Sequence, residues 1–195
     1  RYACAHATAI FGVSERYLDW GLQKAGRGRS DMDRVFLLGY EKPPAPTNET
    51  RRELLATWGV RQHCALVSYI GSWGHSYDLE LVLETARKLE NEEQVQFLVG
   101  GKGEQFQRLA PEFKKLSNTI VTGWLNAEQI GIALERSDIG LLPYARSATQ
   151  SVPNKVFEYM AHGVFQIATL QGELADIYQK GNIGTVLPQA TSDTL

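Results

Sequence analysis

Only two cysteines, Cys4 and Cys64, occur in the 195 residues, and their spacing supports neither a disulfide framework nor a cysteine-based metal site. Sparse thiols of this kind read as reduced groups in a cytoplasmic protein. No apolar run approaches the ~18 residues that span a bilayer, so no transmembrane segment is expected. Nor is a signal peptide expected from its opening residues. Neither sign of charge dominates: the formal net charge is -2, which removes the electrostatic case for a nucleic-acid backbone or an anionic membrane. Walker A, His-Glu-x-x-His and Gly-x-Ser-x-Gly patterns are all missing. Gly101-Lys102-Gly103 begins like a dinucleotide fingerprint, but Phe106 stands where the third glycine is required.

What is present is an ordinary globular composition, 43% apolar and 22% charged, in a regular alternation of elements. Ala65–Ile70 is a short, partly β-branched run stopped by Gly71, and Asp78–Glu90 then sets Leu79, Val82, Leu83, Ala86 and Leu89 at helical spacing. The alternation continues with a strand at Val95–Val99, a helix at Glu104–Leu116 and a strand at Thr119–Thr122. Asn126 with Gln129 forms a capping box for a helix ending near Ser137, followed by a strand at Ile139–Leu142. A helix from Pro153, as first helical residue, to His162 stops at Gly163. A strand at Val164–Ala168, a helix from about Glu173 and a strand at Gly184–Leu187 complete the series. Strands alternating with helices predict an α/β fold, a doubly wound parallel sheet of Rossmann-like type, with ligands beyond the carboxyl ends of the strands.

The leading segment differs. Ala7–Val13 reads as a strand, Ser14 as an N-cap and Glu15–Ala25 as a helix. Pro43, Pro44 and Pro46 then mark an extended linker. We divide the chain into the tail of a preceding domain (1–40), a linker (41–50) and a ligand-binding domain (51–195). Because the chain begins at Arg1 inside this pattern, a piece of a longer protein is expected.

Glycines end three successive strands, in Gly71-Ser72-Trp73-Gly74, Gly100-Gly101-Lys102-Gly103 and Gly123-Trp124. Each loop is either a tight βα turn or a place where backbone approaches a ligand closely. The stretch Gln150-Ser151-Val152-Pro153-Asn154-Lys155-Val156-Phe157-Glu158-Tyr159-Met160-Ala161-His162-Gly163 is more specific. A polar loop opens a helix whose free N–H groups and dipole suit a phosphate. Glu158 further along can accept two hydroxyl hydrogen bonds, although physics alone favours a carboxylate on a solvated helix face.

This segment resembles the donor-site signature of the group 1 (family 4) glycosyltransferases of GT-B fold, especially bacterial polysaccharide-assembly members. In order along the chain, Ala7–Glu15, Val99–Glu104, Val121–Leu125 and Ser137–Pro143 resemble further segments of that family. The resemblance implies a retaining transferase that moves a sugar from a nucleotide diphosphate sugar, with uridine mildly preferred, to an acceptor hydroxyl. It implies no cofactor and no metal, and a carbohydrate or lipid-linked acceptor held by the other domain. It places the protein in the cytoplasm or peripherally on the inner face of the plasma membrane.

By the same resemblance Glu158 binds ribose, the backbone at Ser151, Val152 and Pro153 meets the diphosphate, and Gly123 with Trp124 flanks the base. Gly71, Gly74, Gly101 and Gly103 belong to the glycine loops around the donor. Two departures stand out. The family's Glu-x7-Glu motif places Gln150 where its first Glu contacts the donor sugar. The basic pair expected after the first strand is missing, leaving His75 as the candidate there, with Lys102 and Arg146 as weaker ones. A nucleotide-sugar 2-epimerase and a homologue that binds without turnover are the alternative readings.

Overall fold

The computed structural model describes residues 1–187 and 189–195. The leading segment holds α1 (Tyr2–His6), β1 (Phe11–Gly12), α2 (Glu15–Ala25) and β2 (Arg34–Val35). The strand expected over Ala7–Val13 shrinks to two residues, which pair in parallel with β2 as a small ladder outside the main sheet. Ser14 caps α2 by accepting the Tyr17 amide, and Gly26 ends it at φ +72°, so the helix runs between the bounds its sequence signals. Beyond the prolines lies α3 (Asn48–Trp58), capped by Thr47. Residues 48–50, placed in the linker by composition, are therefore its first turn.

The main sheet contains β3 (Ala65–Ile70), β4 (Val95–Gly100), β5 (Thr119–Gly123), β6 (Ile139–Leu142), β7 (Phe165–Ala168) and β8 (Gly184–Val186). Its order is β5-β4-β3-β6-β7-β8, with every pairing parallel. The intervening helices are α4 (Leu79–Lys88), α5 (Phe106–Phe113), α6 (Ala127–Arg136), α7 (Asn154–Ala161) and α8 (Glu173–Gly181). The chain winds outward through β4 and β5, then returns through α6 to set β6 on the other side of β3. Right-handed crossovers in opposite directions put the helices on opposite faces.

Side-chain alternation along the strands follows from this. On β3, Leu66 and Ile70 point into a core shared with Ala133 and Leu134 of α6, Val156 and Tyr159 of α7, and Leu174 and Tyr178 of α8. Val67 and Tyr69 point into the opposite core, with Leu79, Val82 and Ala86 of α4 and Leu109 and Phe113 of α5. Each such aliphatic side chain, fully buried, contributes about 1.5–3 kcal/mol.

Two contacts fix the elements nearest the switch point. Gly140 of β6 lies under the buried ring of Tyr159, where an added Cβ would sit 2.5 Å from Cδ2. Its missing side chain lets α7 lie directly on the sheet. Trp73, fully buried just after β3, donates Nε1–H to the Gly100 carbonyl at 3.2 Å and packs edge-on against Phe106 and Phe113. It pins the β3–α4 loop to β4 and α5.

Candidate functional site

The strand order reverses between β3 and β6, so their carboxyl ends diverge and leave a crevice. The loops that follow these strands meet over it. The Asp78 amide donates to the Pro143 carbonyl at 2.6 Å, the Ala145 amide donates to Ser76 at 2.9 Å, and Tyr77 and Tyr144 form an antiparallel bridge with ring centroids 4.7 Å apart. Burial beside one another pushes the Tyr69 and Tyr144 hydroxyls well above their ordinary pKa of 10.0.

A cleft of about 700 Å³ opens here, within the range of small-molecule sites. Its floor and one wall are Gln150, Ser151, Val152, Pro153, Asn154, Lys155 and Glu158; Ser72, Tyr77 and Tyr144 face them, and Val13, Tyr17, Leu38 and Tyr40 of the leading segment close the far side. Pro153 is the N-cap of α7, at φ -73° and ψ 150°, rather than its first helical residue. Among the described residues the Asn154 and Lys155 amides have no protein acceptor, and no side chain caps this helix. At its other end the Gly163 amide bonds to Met160 O and the Val164 amide to Tyr159 O, with Gly163 at φ +70°, a Schellman ending.

Glu158 is half-buried beneath the cleft. Burial raises its pKa above 4.5, and the Lys155 ammonium and the Tyr40 hydroxyl, both close by, offset only part of that rise. It is therefore not a carboxylate on a freely solvated face. Gln150 stands at the junction with a second cleft of about 500 Å³, lined in part by Arg146, Thr169 and Gln171, and its buried Oε1 has no partner. Ser151 Oγ donates to Glu173 Oε2 at 2.9 Å, and the same carboxylate accepts the Glu15 and Arg16 amides at 3.0 and 3.5 Å. Glu173, which sequence reasoning passed over, thereby joins the cleft loop to the start of α2.

The glycine loops resolve differently from one another. A Cβ on Gly101 would lie 1.7 Å from the Gly71 carbonyl oxygen, and one on Gly103 would lie 2.8 Å from Trp73 backbone. Gly101 N–H donates to the Gly123 carbonyl at 2.5 Å, and the Gly74 carbonyl accepts from Gln105. These glycines serve the close approach of loop to loop. Gly71 instead faces the Lys155 side chain. His75 is 80% exposed, lies 3.5 Å from Glu104 and does not line the cleft; Trp124 and Lys102 are exposed and do not line it either.

One Asp-x-Asp triplet, Asp31-Met32-Asp33, occurs in the leading segment, a pattern that can hold a divalent ion. Here Asp33 is fully buried and saturated by donors: the Ile10 and Ser30 amides, both at 2.7 Å, Ser30 Oγ and the two-pronged Arg27 guanidinium. Arg27 above all holds its carboxyl well below the ordinary 3.8. It is a structural anchor.

Comparison with known proteins agrees with this architecture. The chain is similar in fold to the structure of WaaG, a glycosyltransferase involved in lipopolysaccharide biosynthesis, with TM-score 0.70 and 15% identity over 94% of this chain and 50% of that one. It is similar to Anabaena HepE in complex with UDP, with TM-score 0.75 and 15% identity over 98% of this chain and 53% of that one. The chain thus spans about half the length of these structures. A search of curated proteins finds no match. Residues 65–195, more than half of the chain, match the profile described as glycosyl transferases group 1, and the protein belongs to that family, its parallel sheet having the Rossmann-like architecture of the GT-B fold.

Proposed function

We propose that this chain is the nucleotide-sugar-binding half of a retaining, metal-independent glycosyltransferase. The observation that carries this reading is the cleft at the β3/β6 reversal, walled by the uncapped start of α7 and floored by Glu158. In it the diphosphate docks on the loop Gln150–Pro153, where free amides and the positive end of the α7 dipole favour an anion. Glu158 accepts the two ribose hydroxyls, and Gln150 faces the donor sugar through its unpartnered oxygen. The bond from the anomeric carbon to the diphosphate breaks, a bond to the acceptor oxygen forms on the same face, and the acceptor's proton leaves on the diphosphate. Positioning and stabilisation of that leaving group carry the catalysis.

HepE is described with UDP and with UDP-glucose, which supports uridine as the base, and WaaG's description supports a polysaccharide or glycoconjugate acceptor. That acceptor is held by the half of the protein beyond this chain. No helix among the described residues is long and apolar enough to cross a membrane. We place the protein in the cytoplasm, or peripherally on the inner face of the plasma membrane.

Thermal melting with UDP, GDP and ADP tests the reading. A nucleotide at about 100 times its dissociation constant stabilises the native state by about 2.7 kcal/mol. That raises the melting temperature by several degrees, and no shift with any of the three would refute donor binding. In the full-length protein, an epimerised donor would favour the 2-epimerase reading, and binding without turnover the inactive homologue.

A further inference from the structure

Among the described residues, the cleft has a cation, Lys155, that nothing above places on the donor. Lys155 sits in the first turn of α7, where a positive side chain opposes the helix dipole. α2, α3, α4 and α6 open instead on a capping side chain with an acidic residue in the first turn. Lys155 also turns inward. Its ammonium donates to the Ile70 carbonyl at the end of β3, beside the Tyr69 ring with Nζ 5.9 Å from the centroid. The space it enters exists because residue 71 is glycine: a Cβ there would lie 2.4 Å from both Cε and Nζ of Lys155. Burial lowers its pKa, and the nearby Glu158 restores only part of the charge's stability. A desolvated cation that breaks the local helix rule and occupies a tailored notch marks a functional position rather than a stabilising one.

We infer that Lys155 supplies the positive charge for the donor's diphosphate, replacing the basic pair that the loop after β3 lacks. This rests on the donor-site reading above. Its ammonium reaches the β3 side of the cleft from the opposite wall, so it and the free Asn154 and Lys155 amides bracket the place where the diphosphate docks. His75, exposed and beside Glu104, is not needed for that task. Diphosphate binding would give the buried ammonium the counter-charge that one carbonyl and one shared carboxylate do not provide.

The test compares a nucleoside with its diphosphate. Calorimetric titration of the chain with UDP, GDP and ADP selects the tightest, and its nucleoside is titrated alongside, for wild type, Lys155→Met and Lys155→Gln. Both variants should lose about 10- to 100-fold in diphosphate affinity, the worth of a charged hydrogen bond, while nucleoside affinity changes less than about twofold. Their melting temperatures should equal or exceed wild type, because an imperfectly compensated buried charge is removed. Unchanged diphosphate affinity, or equal losses for nucleoside and diphosphate with a lowered melting point, would make Lys155 a structural clamp and overturn the inference. Wild type binding none of the three would instead refute the donor site itself.

Discussion

Substituting Gly140 with alanine probes how the cleft is positioned without touching it. A Cβ on Gly140 would meet Tyr159 at 2.5 Å from Cδ2 and 2.6 Å from Cε2, and that ring is fully buried with nowhere to turn. Overpacking of this kind costs about 1–3 kcal/mol. The less flexible unfolded chain returns about 0.4–1 kcal/mol. At mid-range the two leave a net loss of about 1.3 kcal/mol, a fall of roughly 3–5 °C in melting temperature for a chain of this size. Strain should be relieved by lifting α7, which carries Lys155 and Glu158, so nucleotide affinity should fall as well. Tyr159→Leu alone leaves a cavity and also destabilises. Combined with Gly140→Ala it should be less costly than the sum, because the alanine occupies part of the vacated space, with a coupling of at least ~0.5 kcal/mol. Differential scanning calorimetry of the three variants measures this. A wild-type melting point for Gly140→Ala, or strict additivity in the double variant, would refute this packing of α7 on β6.

Two further outcomes concern pH. The Asp33 carboxyl is held below its unfolded value of 3.8, so its stabilisation is complete above that value and lost as pH falls through the folded one. Asp33→Asn should speed exchange of the Ile10 and Ser30 amides at neutral pH and flatten the acid limb of that dependence; unchanged exchange by NMR would contradict it. Lys155 is shifted below 10.5, so diphosphate affinity should decline as pH rises through its folded value while nucleoside affinity stays level, and parallel profiles would contradict that.

Much of the fold was legible because its signals are local. The short apolar runs Ala65–Ile70 and Ile139–Leu142, the Ser14 cap and the Asn126/Gln129 capping box act within a few residues, and the structure shows each of them. α3 was not, because three prolines just before it suggested that the linker continued, whereas Thr47 starts a helix directly after them. At the site, the helix start near Pro153 was readable to within one residue. The roles of Gly101 and Gly103 were not, since their crowding comes from Gly71 and Trp73 across two loops. Lys155 reads as a surface lysine until the missing side chain at Gly71, far away in sequence, shows where it goes. Glu173 and Asp33 likewise act through donors many residues away. A single sequence gives no sign of such pairings.

Glu158 gives the most direct test of the donor site. Calorimetric titration of wild type and Glu158→Ala with UDP, GDP and ADP should show the variant weaker by roughly 30- to 1000-fold. That is the loss of a charge-assisted pair of ribose hydrogen bonds worth on the order of 2–4 kcal/mol. Because Glu158 is half-buried beside Lys155 and Tyr40, a modest drop in melting temperature should accompany it. Equal dissociation constants for the two proteins would remove Glu158 from the site, and the function would then rest on family membership alone.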